Sequence, residues 1–323
     1  MLTDALNYEW IFWTAAIVIA GAAVMTHLFV PESPVRSGST RIDWSGAAFV
    51  CVGLAALLLG VSEGNAWGWG SARILGLFAL AAVVLAVWVR FEARHPEPLV
   101  DMRLMRRRGV WTTNLVALLV GFGMFSGFIM IPQFVQTSAA AGYGFGASVI
   151  EAGLFLLPST VVMLFAGPVS GWLGSRFGSR RPLLLGAIIA AAAFGWLALE
   201  HSVQWQFVVG TALMGLGIGF AFAAMANCVV EAVDATETGV ATGMNTIMRT
   251  IGGSIGGQIA ASIVTGSLIA GTTLPKESGY QEAFAISAIV LAGAALVALA
   301  IPRRPRGAEE PARVQADAVP VRA

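Results

Sequence analysis

Residues 111–135 read WTTNLVALLVGFGMFSGFIMIPQFV, a run with no Asp, Glu, Lys or Arg in it. The hydrocarbon core of a bilayer is about 30 Å thick and needs roughly 20 apolar residues in a helix to cross it, so this run reads as a transmembrane helix. The whole chain has the same character. Of its 323 residues, 57% are hydrophobic and 11% charged, and the mean hydropathy is +0.78, values outside the range of soluble domains. The 38 glycines suit membrane helices, where Gly lets backbones approach closely. A formal net charge of +1 gives no reason to expect a nucleic-acid partner. Cys51 and Cys228 each sit in an apolar run, where a small hydrophobe would also serve. No disulfide framework, metal site or cofactor is expected. The first residues lack the basic segment and small-residue cleavage site of a signal peptide, so the run from Trp10 to Val30 is expected to remain as a span.

Working outward from 111–135, the same criterion marks nine spans: 10–30, 44–62, 73–90, 111–135, 148–172, 182–199, 205–230, 239–268 and 281–302. The residues after Pro302 are polar and read as a disordered tail. Orientation follows from Lys and Arg, which accumulate in cytoplasmic loops. Arg90, Arg94, Arg103, Arg106, Arg107 and Arg108 follow the third span. Arg176, Arg180 and Arg181 follow the fifth, and Arg303, Arg304 and Arg306 the ninth. Those segments, the C-terminus included, are expected to face the cytoplasm. The intervening loops hold only Arg73 and Lys276. Glu231, Asp234 and Glu237 make one loop on the cytoplasmic side acidic, but acids count for little in this rule. An odd number of helices ending in the cytoplasm requires an external N-terminus, and the expectation is that an odd number of further helices precedes Met1 in the complete transporter.

Several stretches together resemble the 14-helix drug:proton antiporter branch of the major facilitator superfamily, over nearly the whole chain to about Pro302. Tyr8-Glu9-Trp10-Ile11-Phe12-Trp13 and Pro31-Glu32-Ser33 are similar to the family's sixth helix and its exit. Asp43-Trp44-Ser45-Gly46 and the turn Gly64-Asn65-Ala66-Trp67-Gly68-Trp69 resemble the helix pair inserted between the two halves. His95-Pro96-Glu97-Pro98-Leu99-Val100-Asp101 resembles the lead-in to the C-terminal half. The resemblance implies an all-α integral membrane fold in four parts. Residues 1–43 would be the last helix of the N-terminal bundle and a linker, 44–110 the inserted pair and a cytoplasmic loop, 111–302 a complete C-terminal six-helix bundle, and 303–323 the tail. Five helices would then precede Met1. Substrate would bind between the two bundles, which rock to give alternating access.

Two motifs carry the resemblance furthest. Gly167-Pro168-Val169-Ser170-Gly171-Trp172-Leu173-Gly174-Ser175-Arg176-Phe177-Gly178-Ser179-Arg180-Arg181 resembles the family's cytoplasmic signature loop. Its glycines let helices meet, while its guanidiniums can engage helix C-terminal carbonyls and carboxylates that part on rocking. The family usually has an acid where Ser175 stands, so a conformational latch and simple positive-inside anchoring both remain open. Gly239-Val240-Ala241-Thr242-Gly243-Met244-Asn245 with Arg249-Thr250-Ile251-Gly252-Gly253-Ser254-Ile255-Gly256 is the stronger match. Gly239 with Gly243, and Gly252 with Gly256, stand four apart and share packing faces. Asn245 and Arg249 share a polar stripe. An intramembrane Arg is costly and turns to a cavity or a partner; otherwise it snorkels to the headgroups.

Asn114, Gln133 and Phe125 in the fourth span, and Met225 and Asn227 in the seventh, add an aromatic, thioether and amide mixture of the kind that lines broad-specificity pockets. Glu151 is the best-placed acid for proton coupling, though an N-terminal acid favoured by the helix dipole is the simpler reading of it. The Gly215–Gly219 run only superficially echoes a dinucleotide loop, since no strand precedes it. His27, His95 and His201 fall at different helix ends or loops, so an enzyme is disfavoured. The expected partners are membrane lipid, a hydrophobic or amphiphilic small molecule such as a drug or antibiotic, protons and a separate N-terminal half. The expected function is export across the cell membrane by proton antiport. The competing reading is a remnant, or a half-transporter that works only with that other part.

Overall fold

A computed structural model of the chain describes residues 9–30, 43–95, 102–269, 271–272 and 274–302. Nine long helices account for most of them: α1 (Glu9–Phe29), α2 (Trp44–Trp67), α3 (Ala72–Glu92), α4 (Arg108–Gln136), α5 (Val149–Phe177), α6 (Arg180–Leu199), α7 (Gln204–Ala232), α8 (Thr238–Gly266) and α9 (Glu277–Ala298). A short helical turn, Met102–Arg106, leads into α4. Among the described residues no strand forms beyond an isolated bridge between Leu268 and Pro275. Eight of the nine helices are long and apolar enough to cross a membrane on their own. The exception is α8, whose 29 residues include Gly, Thr, Asn and Arg at many positions. It lies against α4 within the bundle, although its own hydropathy does not mark it as a span. The linker 31–42, most of the lead-in at 96–101 and the tail 303–323, with its basic cluster, lie outside the described residues.

Helices α4 to α9 form one packed unit. The main contacts run α4 to α8, α5 to α7, α6 to α7 and α6 to α9, with α4 also touching α9. In lipid the hydrophobic effect does not distinguish a Leu that faces a helix from one that faces an acyl chain, so close packing has to hold the helices together. Glycine supplies it. On α4 and α8, a Cβ at Gly121 would collide with the Arg249 carbonyl, and Cβ atoms at Gly252 and Gly256 with the Leu118 and Phe122 carbonyls. The α6–α7 seam closes around Gly186 and Gly217, where a Cβ on Gly186 would stand 2.6 Å from the Gly217 oxygen. Gly215 and Gly219 face Ser159 and Ala166 of α5. The glycine run that resembled a dinucleotide loop is therefore a two-sided packing ridge.

The partners also give direction. Gly252 and Gly256 meet Leu118 and Phe122 in the same order, so α4 and α8 run parallel. On α4 and α9, Gly123 meets Leu291 and Phe134 meets Tyr280, so these run antiparallel. Successive helices thus alternate, as the charge pattern requires. Arg107 pairs with Asp234 at 3.4 Å and Glu237 at 3.5 Å, which brings the acidic loop to the same end as the basic segment before α4.

Helices α2 and α3 pack on each other, with Gly53 against Leu85 and Gly60 against Phe78, an antiparallel pairing. The pair touches α8, where Trp88 meets Met244. Helix α1 has no substantial packing partner among the described residues, and its described side chains are exposed along its whole length. Two boundaries differ from the sequence reading. Helix α2 continues to Trp67, and the turn begins only at Gly68, whose φ of 81° favours glycine. Helix α5 continues to Phe177, so most of the stretch read as a signature loop is helical. Gly167, Pro168, Gly171, Gly174 and Arg176 all lie in its last three turns. The break comes at Gly178, φ 83°, whose N–H bonds to the Gly174 carbonyl at 2.8 Å.

Candidate functional site

The α4–α8 seam gathers four of the residues selected from sequence. Asn245 is buried and donates through Nδ2 to Asn114 Oδ1 at 3.1 Å and to the Thr113 carbonyl at 3.3 Å. Asn114 is also buried, and its own Nδ2 lies 3.8 Å from Met105 Sδ. Buried amides in a membrane interior need such partners. One turn beyond Asn245, the Arg249 guanidinium lies 4.4 Å from the centroid of the Phe222 ring of α7. Arg249 is 11 residues from Thr238 at the start of α8, about 16 Å along the axis. The far end of the helix, Gly266, is 17 residues away, about 25 Å, so Arg249 lies well inside α8. Phe125 packs its ring over Gly253, one turn beyond Arg249, and is partly exposed.

The face of α8 beside Arg249 carries Gly239, Gly243, Thr246 and Thr250, all exposed. Its threonines bond backward to helix carbonyls: Thr242 to Thr238 at 2.8 Å, Thr246 to Thr242 at 3.1 Å and Thr250 to Thr246 at 3.0 Å. Their hydroxyls are satisfied within the helix, so the stripe presents small, weakly polar surface. Gly239 and Gly243 lie on it with nothing within 4 Å of an added Cβ. Among the described residues they do not pack a neighbouring helix as expected, although their spacing matches that of Gly252 and Gly256. The two pairs point to different sides of α8, and only the second faces α4.

The other selected residues fall elsewhere. Met225 is 1% exposed in the bundle core, so it packs and does not line a cavity. Asn227 is exposed at the α5–α7 junction, where its Nδ2 would lie 3.8 Å from a Cβ on Gly174. Gln133 is exposed near the far end of α4. Glu151 is exposed and caps α5: its Oε2 accepts from the Ser148 N–H at 2.8 Å, while Ser148 Oγ accepts from the Glu151 N–H at 3.3 Å. This is the capping-box geometry, and it engages the carboxylate in local structure.

At the Arg-rich end the α5–α6 junction is tied to α7 and to the end of α9. Ser179 Oγ donates to Glu231 Oε1 of α7 at 2.6 Å, and Arg180 donates to the Leu299 carbonyl beyond α9 at 2.5 Å. Arg176 lies over Trp172 at 5.2 Å, and Arg181 over Phe177 at 5.6 Å. The carboxylate at this junction, Glu231, bonds Ser179 and comes from a helix that sequence spacing does not connect to this motif. A cavity of about 880 Å³ opens here. Gly167 and Gly171 meet nothing within 4 Å of an added Cβ.

The opposite end holds a cluster that the sequence reading missed. Tyr143 donates to the Pro275 carbonyl at 2.5 Å. His201, 4% exposed, lies 3.0 Å from Glu277 Oε1 and 3.2 Å from Gln281 Nε2. Phe134 meets the rings of Tyr143, His201, Phe207 and Tyr280. Burial above all, with the nearby Tyr280 and Glu277, pushes the Tyr143 phenol above its ordinary value. Its signal in sequence was weak, because these residues come from segments far apart in the chain, as in the Tyr143–Pro275 bond across 132 positions.

Residues 1–257 match the family model described as Major Facilitator Superfamily. Three curated proteins illustrate the likeness. The multidrug transporter protein MdtP of Bacillus subtilis is 26% identical over 246 residues, covering 74% of this chain and 43% of that protein. The tetracenomycin C resistance and export protein of Streptomyces glaucescens is 28% identical over 243 residues, covering 75% and 44%. A multidrug resistance protein B homolog of Mycobacterium tuberculosis is 28% identical over 240 residues, covering 71% and 42%. The chain spans less than half the length of each.

Proposed function

This chain belongs to the major facilitator superfamily and is a multi-pass membrane protein, and from that premise we propose that it is part of a secondary active exporter of hydrophobic or amphiphilic small molecules. Export proceeds by proton antiport with alternating access. The names of its relatives, a multidrug transporter and a tetracenomycin C resistance and export protein, support the substrate class. In this reading the protein resides in the cell membrane with its Arg-rich end in the cytoplasm. A separate N-terminal bundle completes the fold by packing on α1 and on the exposed faces of α5 and α8.

The observation that carries the reading is Arg249, held over Phe222 well inside α8 and beside its small, weakly polar stripe. A fixed cation in the hydrocarbon core is costly unless it faces a partner or a cavity. Among the described residues it has no carboxylate partner. We assign it, with Asn245, Asn114 and Phe125, to the wall of the transport path. The Gly174–Arg181 segment acts as the latch, through contacts to Glu231 and Leu299 that part when the bundles rock.

The test is efflux of a fluorescent lipophilic cation, with and without a protonophore. It compares cells expressing this chain alone with cells expressing it joined to the N-terminal half of one of the relatives, with membrane levels checked in parallel. Efflux is expected in the joined protein and lost in its Arg249→Ala variant at unchanged membrane level. Normal efflux by that variant would remove Arg249 from the path. Protonophore-sensitive efflux by the 323-residue chain alone would put the coupling groups within it.

A further inference from the structure

The cavity of about 880 Å³ at the Arg-rich end is lined by three guanidiniums, those of Arg176, Arg180 and Arg181, and by one carboxylate, Glu231. The excess is therefore positive. Arg180 is engaged with the Leu299 carbonyl and Glu231 with Ser179. Arg176 and Arg181 have no carboxylate partner among the described residues and rest on aromatic rings instead. Those rings belong to Trp172, 55% exposed, and Phe177, 47% exposed, so the two cations stand at the outer rim of the bundle. The ends of α5, α6, α7 and α9 meet at this level, which is the depth of the lipid headgroups for helices that span. Helix α6 also starts here, and its N-cap Ser179 turns its hydroxyl to Glu231 without capping the helix. The positive end of that 20-residue helix adds to the same field.

A compact tetrahedral oxyanion suits this arrangement, because guanidinium forks match phosphate oxygens and a basic pocket between helix ends is favourable for anionic headgroups. We infer that this cavity binds a phosphate-bearing anion at Arg176 and Arg181, supplied by an anionic phospholipid headgroup or by free phosphate. Arg176 and Arg181 lie within the segment read above as the latch, but anion binding there is measured without transport, so it can be tested apart from it.

The purified full chain in detergent is titrated with phosphatidylglycerol, with phosphatidylcholine and with inorganic phosphate, following thermal unfolding by tryptophan fluorescence. Retained lipid is read by native mass spectrometry. Stabilisation by phosphatidylglycerol over phosphatidylcholine identifies the lipid source, and stabilisation by inorganic phosphate over chloride the free one. In either case Arg176→Gln and Arg181→Gln should each raise the half-maximal concentration about fivefold, and together about 25-fold. The single variants keep the test valid if the double variant fails to fold. If neither anion stabilises the chain, or if the variants respond as the wild type does, the site does not exist.

Discussion

Replacing Gly252 by Ala should be among the most damaging single-methyl changes in the bundle. The added Cβ would fall well inside contact distance of the Leu118 backbone carbonyl, an atom that cannot rotate away. Relief requires α4 and α8 to part by about 1 Å, which forfeits a quarter to a half of the dispersion energy of each contact along the seam. The expected cost is about 1–3 kcal/mol, the usual range for overpacking. For a unit of this size that corresponds to a fall in Tm of about 2–10 °C. Cys228 is buried and Cys51 exposed, so a thiol-reactive fluorophore added after Cys51→Ser substitution reports unfolding through Cys228. Gly243→Ala is the matched control, since its Cβ meets nothing within 4 Å. It should leave Tm unchanged or raise it slightly, because Ala is the better helix former. A wild-type Tm for Gly252→Ala, or an equal loss for Gly243→Ala, would refute the assignment of the α4–α8 contact.

Two further outcomes follow from the same geometry. Asn245→Ala removes the donor to Asn114 Oδ1 and to the Thr113 carbonyl, and should cost about 1–2 kcal/mol; a second substitution, Asn114→Ala, should then cost less than it does alone, and a double-mutant cycle checks this. For Tyr143, whose value is raised in the fold by burial, the proton is held more tightly in the folded than in the unfolded chain. Its contribution should therefore be complete below about pH 10 and lost as pH rises through the folded value. Phenolate absorbance of the wild type against Tyr143→Phe measures this, and a difference titration at the ordinary tyrosine position would contradict the burial of that phenol.

The sequence alone was enough to locate the helices, because crossing lipid demands long apolar runs and little else about the surroundings changes that demand. Their alternation followed from where arginine accumulates, and the family from the motifs around Gly167–Arg181 and Gly239–Gly256. Where a boundary was missed, as in α5, the arginine that suggested a loop sits on the last turn of a helix, over the ring of Trp172. The candidate site was legible only in part. Asn245 and Arg249 share a stripe by spacing, but spacing could not say that Asn245 would meet Asn114, 131 positions away, or that Arg249 would meet Phe222. Equal spacing gave Gly239–Gly243 and Gly252–Gly256 the same reading, and the fold separated them. Helical periodicity determines which residues share a face; which face meets a neighbour depends on contacts between segments far apart in the chain. For that reason the Ser179–Glu231 bond, the His201–Glu277 pair and the burial of Met225 belong to the tertiary structure, while the spans themselves were written in the sequence.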